Sequence, residues 1–158
     1  MPRKTYIKRP KIANISQIIF VLSTKNPKPD LLMLDKQLVY AESLDITPII
    51  VVNKIDLADT AQQIKDTYTK IGYDVILTNA KEGVGIEKIR EKLKGQISAF
   101  SGNSGVGKST IINALFEEEK TQEGEISTKN KKGKNTTTDI KLYELEENTY
   151  IADTPRLF

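Results

Sequence analysis

Residues 96–116 read QISAFSGNSGVGKSTIINALF, and this stretch decides the fold of the chain. Its first part, Gln96–Phe100, is an apolar run that predicts a buried strand, and its last part, Ser109–Phe116, predicts a helix. The segment between them matches the pattern G-x-x-x-x-G-K-[ST], which has physical meaning where a strand leads through a loop into a helix. The stretch therefore predicts an α/β protein with a phosphate-binding loop.

Four residues fit this pattern: Gly102, Gly107, Lys108 and Ser109. Glycines let successive backbone N–H groups converge on phosphate oxygens, and the start of the helix adds positive potential. We expect Lys108 to reach the β- and γ-phosphates and to stabilise their charge during catalysis, and Ser109 to ligate Mg²⁺. The alternative is a glycine loop without a ligand, and the flanking strand and helix argue against it.

Strands and helices alternate through most of the chain. Apolar or alternating runs predict further strands at residues 16–23, 48–53, 74–77, 139–145 and 150–153, and apolar spacings of three and four predict helices at residues 30–44, 59–71 and 86–93. The polar, lysine-rich segment 117–135 predicts a functional loop or a disordered segment. The alternation is typical of a three-layer α/β/α fold with a doubly wound, mainly parallel sheet.

A second motif, NKID at residues 53–56, follows the apolar run PIIVV at the carboxyl end of a predicted strand. Open α/β sheets bind ligands at that edge. Asp56 can accept two hydrogen bonds from N1–H and the exocyclic amine of guanine, a pair that adenine does not offer. Asn53 can tie neighbouring loops together, and the stem of Lys54 can cover the purine face. Asn and Asp are also common turn formers, so the motif gains its meaning from the phosphate loop.

Three later groups are candidates for the remaining contacts. The segment Asn79-Ala80-Lys81 follows a strand and can touch the other edge of the base. Among the threonines at 136–138, Thr137 is our choice for a hydroxyl that completes the Mg²⁺ shell when γ-phosphate is present; a polar entry to the next strand is the alternative. Asp153 can hold a Mg²⁺-bound water, or can simply end its strand before a proline.

The order of these parts is base-reading loops, then phosphate loop, then threonines and metal aspartate. In Ras-like GTPases the phosphate loop comes first. Since the parts need only converge in space, the order indicates a circularly permuted GTPase topology.

The composition narrows the chemistry further. The 158-residue chain has no cysteine and no histidine, which excludes disulfides, the usual zinc sites and imidazole catalysis within it. Apolar residues make up 38% and charged residues 28%, the balance of one globular domain. No apolar run approaches the roughly 18 residues of a membrane span, and we expect a cytoplasmic protein.

The net charge of +3 is modest, but the cations cluster. One cluster lies between Arg3 and Lys11, and a second between Lys129 and Lys134. These segments are either solvated or in contact with RNA.

In these motifs and their order, the chain resembles the RsgA family, the circularly permuted GTPases of small ribosomal subunit assembly. The resemblance covers nearly the whole chain and is carried, in order, by RPKIANISQIIFV, LLMLDKQLVYAE, NKID, NAKEGVGI, SGNSGVGKSTIINAL, GKNTTTDIKLYEL and IADTP. By similarity, Asn53, Lys54 and Asp56 read guanine, and the threonines at 136–138 belong to the first switch. The resemblance also assigns phosphate binding to Gly102, Asn103, Ser104, Gly105, Val106, Gly107, Lys108, Ser109 and Thr110.

The resemblance also implies partners and a domain plan. It implies GTP or GDP and Mg²⁺ as ligands, and the small (30S) ribosomal subunit with its 16S-type rRNA as partner, for a monomer that does not bind membranes. It places residues 1–12 in the end of an OB-fold barrel or a linker and residues 13–158 in a GTPase domain cut after its DTP motif. Zinc is expected only in a C-terminal domain that this chain lacks.

Departures from the family pattern leave a second function open. Asn135 stands where the family usually has a histidine, Arg156 replaces the glycine of DTPG, and Leu157 stands where Ras-like enzymes place a water-orienting glutamine. The leading expectation is a GTPase that hydrolyses GTP, slowly in this chain. The alternative is a guanine-nucleotide-binding module without hydrolytic activity.

Overall fold

A computed structural model describes residues 15–103, 105–123 and 141–153. Within these residues the order of elements is β1 Gln17–Ser23, α1 Leu31–Ser43, β2 Thr47–Asn53, α2 Thr60–Ile71, β3 Asp74–Leu77, a 3-10 turn at Ala80–Glu82, α3 Ile86–Leu93, β4 Ile97–Gly102, α4 Lys108–Glu123, β5 Lys141–Glu146 and β6 Thr149–Asp153. The predicted alternation of strands and helices is confirmed.

The six strands of the described residues form one sheet in the order β3-β2-β1-β4-β6-β5. Every neighbouring pair is parallel except β5 and β6, which are antiparallel. The hairpin joining those two turns at Glu147 and Asn148, with Asn148 in the left-handed region at φ 60°. The sheet is therefore mainly parallel, as expected.

One prediction is wrong. The sequence pattern predicts a polar loop from residue 117 onward, but α4 continues through Glu123. Glu, Lys and Gln are good helix formers, so propensity extends the helix although the apolar spacing has ended. The next residue, Gly124, is the first poor helix former after Phe116 apart from Thr121.

Local sequence explains where the helices begin and end. The carboxylate of Asp30 accepts a hydrogen bond from the backbone N–H of Met33 at 3.0 Å and caps the start of α1. Gly72 ends α2 in the left-handed region at φ 114°, a conformation that glycine adopts readily. The connections between strands and helices are short, so each helix returns onto the sheet.

The helices cover both faces of the sheet. Alternate residues of β1 enter two separate cores: Ile19 and Val21 pack with α3 and α4, and Ile18 and Phe20 pack with α1 and α2. This period-2 pattern makes the strand apolar on both sides, which is typical of a parallel sheet between two helical layers. The fold is the expected three-layer α/β/α arrangement.

Strand β1 lies at the centre, and the chain winds outward from it in two directions. It first adds β2 and β3 on one side, and then crosses to place β4 and β6 on the other. Such a reversal opens a crevice at the carboxyl ends of the strands, where α/β proteins bind ligands. None of the helices in the described ranges is long and apolar enough to span a membrane.

Candidate nucleotide-binding site

A cleft of about 1030 Å³ lies at the carboxyl edge of the sheet. Three separate chain segments supply its predicted residues. Those that line it are Asn53, Lys54, Asp56, Asn79, Ala80, Lys81, Gly102, Asn103, Gly105, Gly107, Lys108, Ser109 and Thr110. The two motifs and the segment 79–81, far apart in the sequence, therefore meet around one cavity.

The loop after β4 has the backbone expected of a phosphate-binding loop. Gly105 and Gly107 lie in the left-handed region at φ 84° and 100°, which non-glycine residues rarely adopt. A side chain at Gly107 would also collide with Nδ2 of Asn53. Lys108 begins α4 directly after this glycine, so the first N–H groups of the helix lie at the cleft.

Asn53 joins the segments together. Its side chain is 4% exposed and donates from Nδ2 to the carbonyl of Val106 at 3.0 Å. Its Oδ1 accepts from the Thr78 hydroxyl at 2.9 Å and from the backbone N–H of Ala80 at 3.0 Å. One buried amide thus holds the phosphate loop and the 79–81 segment on opposite sides of β2.

Lys54 has an unusual backbone and two partners for its ammonium group. Its φ of 61° lies in the left-handed region, which costs an ordinary residue about 1–2 kcal/mol. Nζ donates to the carbonyl of Gly105 at 2.7 Å and to that of Asn26 at 2.5 Å. The side chain therefore runs across the cleft to the phosphate loop.

Asp56 and the 79–81 segment also line the cleft. The side chain of Asp56 is exposed and lines the cleft, so its carboxylate is available to a ligand. Ala80 begins the 3-10 turn, and Asn79 pairs with Val84 across it. Gly85 allows this tight return, since an added Cβ would lie 2.5 Å from the carbonyl oxygen of Leu77.

Two of the three candidate Mg²⁺ ligands, Ser109 and Asp153, lie within the described residues. Ser109 lies in the first turn of α4 and lines the cleft, and its hydroxyl is the kind of hard oxygen that Mg²⁺ takes. Asp153 ends β6 in register with Phe100 of β4, which places it at the same edge of the sheet. Ser104 and Thr137 lie outside the described residues. The residues present fit a Mg²⁺ ion beside the phosphate loop.

Five further residues line the cleft that no sequence motif indicates. Asn26, Met33, Gln37, Leu57 and Ser101 also line it. Asn26 belongs to the β1–α1 connection, which the sequence marks only as a break in the chain. Its contribution is a backbone carbonyl, which every residue carries, so no side-chain pattern predicts it.

Together, a glycine-rich loop of the P-loop pattern after β4 and the NKID motif after β2, with NKID earlier in the chain, define the class of the domain. It is a P-loop nucleotide-binding domain with the strand order of a circularly permuted GTPase. The chain belongs to the RsgA GTPase family, whose family model matches residues 1–157.

Curated relatives agree with this assignment. The chain is 44% identical to the small ribosomal subunit biogenesis GTPase RsgA of Ruminiclostridium cellulolyticum over 98% of its own length and 51% of the relative's. It is 40% identical to the RsgA of Alkaliphilus metalliredigens over 98% of its length and 53% of that protein. The chain thus spans about half the length of the curated relatives it matches.

Solved structures show the same fold. YjeQ from Thermotoga maritima superposes with a TM-score of 0.70 at 34% identity, over 90% of this chain and 48% of that one. YloQ, described as a circularly permuted GTPase, superposes with a TM-score of 0.67 at 27% identity, over 90% of this chain and 45% of that one.

Proposed function

We propose that the cleft binds GTP and GDP with Mg²⁺, and that the chain hydrolyses GTP in the maturation of the small ribosomal subunit. The observation that carries the proposal is the Asn53 side chain, which bonds the phosphate loop to the 79–81 segment. Because one buried residue joins both, the base-facing and phosphate-facing parts form a single preorganised site. Residues 13–158 are the corresponding GTPase domain.

In this site Asp56 pairs with guanine and the stem of Lys54 packs on the purine. The loop from Gly102 to Thr110 surrounds the phosphates, and the left-handed conformations of Gly105 and Gly107 support this role because they let backbone N–H groups converge on an anion. Ser109 and Thr137 would ligate Mg²⁺ and Asp153 would hold a water bound to it; the ion would neutralise phosphate charge. Catalysis is chiefly positioning and charge stabilisation by Lys108 and the loop amides, because phosphoryl transfer needs little covalent chemistry from the protein.

The test of nucleotide choice is a titration with fluorescent GDP and Mg²⁺, competed by GDP, GTP, ATP and xanthosine diphosphate. GDP and GTP are expected to displace the probe and ATP is not. Asp56→Asn should lose guanine nucleotides and gain the xanthine one, because an amide can donate to the xanthine C2 carbonyl. Asp59→Asn, an exposed carboxylate at the start of α2 with no capping hydrogen bond, is the matched control. Equal competition by ATP would refute the proposal.

Hydrolysis is tested by phosphate release with and without small ribosomal subunits. Lys108→Ala is expected to slow release by about 10²-fold or more. GDP binding without any release above the uncatalysed rate would instead favour the binding module, as the departures at Asn135 and Arg156 suggest.

The ribosomal partner is supported by the similarity to small ribosomal subunit biogenesis GTPases and by the basic segments 3–11 and 129–134. Binding to small-subunit RNA is expected to weaken steeply between about 50 and 200 mM salt, because neutralised phosphates release their counterions. Replacing Lys131 and Lys132 by glutamine should lower the slope of log K against log salt by about 1 for each phosphate that is no longer neutralised. An unchanged affinity across that range would contradict the assignment.

A further inference from the structure

The connection between β1 and α1, residues 24–29, lies against both motifs of the site. We call this segment the Asn26 loop. Asn26 lines the cleft, and the Cδ of Pro27 lies 3.6 Å from the position of a Cβ on Gly105. The segment therefore lies beside the phosphate loop at Gly105.

Two buried hydroxyls at the end of β1 hold this loop in place. Ser23 is 1% exposed and donates to the carbonyl of Pro27 at 2.6 Å. Thr24 is 4% exposed and donates to the carbonyl of Lys54 at 2.5 Å, while its backbone N–H donates to the carbonyl of Asn53 at 3.1 Å. Both side chains donate to main-chain oxygens, so they fix backbone positions.

The loop also holds the longest side chain of the base-reading motif. The Asn26 carbonyl and the Gly105 carbonyl both accept from Lys54 Nζ, at 2.5 and 2.7 Å. Asn26 presents its carbonyl from the left-handed region, at φ 47°, which asparagine tolerates better than most residues. Because Nζ is already hydrogen-bonded, the Lys54 side chain has lost conformational entropy before a ligand binds. Binding therefore does not add this entropy cost.

We propose that the Asn26 loop is a fourth part of the nucleotide site, and that Ser23 and Thr24 are positioning residues for Lys54. Ser23 fixes the loop that carries the Asn26 carbonyl, and Thr24 fixes the backbone of Lys54. The loop thereby sets how long a guanine nucleotide stays bound. This inference rests on the proposed function, since it needs a purine against the Lys54 stem.

The test is the rate at which fluorescent GDP is released into excess GDP, followed by stopped flow. Ser23→Ala is expected to release GDP about tenfold faster, the effect of removing one buried hydrogen bond. Ser98→Ala is the matched control, since Ser98 is a buried β4 serine, 0% exposed, bonded to Gln17 near the opposite edge of the sheet. It should change release by less than about twofold.

A double-mutant cycle separates positioning from general weakening. If Ser23 acts through the Lys54 ammonium, adding Ser23→Ala to Lys54→Met should not accelerate release further. Thr24→Val should also accelerate release and Thr24→Ser should restore it, which covers the case that Ser23→Ala does not fold.

Three results would overturn the inference: wild-type release rates in both Ser23→Ala and Thr24→Val, equal acceleration by Ser98→Ala, or a full Ser23→Ala effect in the Lys54→Met background. The failure of wild-type protein to bind GDP would instead remove the proposed function itself, and the inference with it.

Discussion

At the scale of single residues, the site depends on two positions, Asn53 and Gly107, at which a substitution would break existing contacts. Asn53 makes three hydrogen bonds through its amide, one from Nδ2 and two to Oδ1, and a Cβ added at Gly107 would collide with Nδ2. A buried amide with these bonds is costly to replace, because each stranded partner would lose its hydrogen bond away from water.

Gly107→Ala is expected to destabilise the fold by at least about 2 kcal/mol, because the added methyl collides with Asn53 and the backbone is left-handed. The free energy of urea unfolding measures the loss, and GDP titration should show weaker binding. Gly72→Ala is the control: it also has positive φ, at 114°, but no atom lies within 4 Å of its added Cβ. It should destabilise the fold less and leave GDP affinity unchanged.

At the scale of elements, a tyrosine joins the two helices on one face of the sheet. Tyr68 of α2 is buried and donates to Asp35 of α1 at 2.6 Å. Burial, with help from this hydrogen bond and the carboxylate charge, raises the pKa of Tyr68 far above its usual range. Tyr73 donates to Glu42 at 2.9 Å, and its pKa is raised for the same reasons.

These raised pKa values predict a loss of stability in alkali. Above about pH 10 an unfolded tyrosine ionises while folded Tyr68 keeps its proton, so the unfolded state binds fewer protons. Stability is then complete below that pH and falls above it, by at most about 1.4 kcal/mol per pH unit for this proton. Urea unfolding from about pH 8 to 11 should show Tyr68→Phe with a shallower decline than wild type, and Asp35→Asn in between. Identical slopes would contradict the assignment.

The elements were largely predictable because their signals are local. The runs of β1 and β2 are apolar on both faces, and Asp30 and Gly72 mark helix ends by their own chemistry. The end of α4 was missed because apolar spacing stops where helix propensity does not. The Asn26 loop was missed because it acts through a carbonyl and through two hydroxyls whose partners are main-chain atoms. Sequence patterns indicate which side chains have a role far better than they indicate the contacts made by main-chain atoms.

At the scale of the whole molecule, nucleotide binding and folding stability are linked. At a free GDP concentration of about 100 times the dissociation constant, the folded state gains about 2.7 kcal/mol. For a chain of this size that corresponds to a rise in Tm of about 5–10 °C. Thermal denaturation with Mg²⁺ and GDP should show this rise, while ATP and the Asp56→Asn variant with GDP should not. A matching rise with ATP would indicate a site without guanine selectivity.

The central position of β1 has a consequence for how the protein is made. Gln17 of β1 pairs with Thr47 on one side and with Ser98 on the other. Ser98 follows Gln17 in the sequence by about half the length of the chain. During synthesis from the N-terminus, β1, β2 and β3 can pair first, leaving the apolar edge of β1 without a neighbour. Only when β4 leaves the ribosome is that edge closed, and the phosphate loop emerges directly behind it. The newborn chain therefore covers this apolar edge, which is open to aggregation until then, and releases its phosphate loop within the same few residues of synthesis.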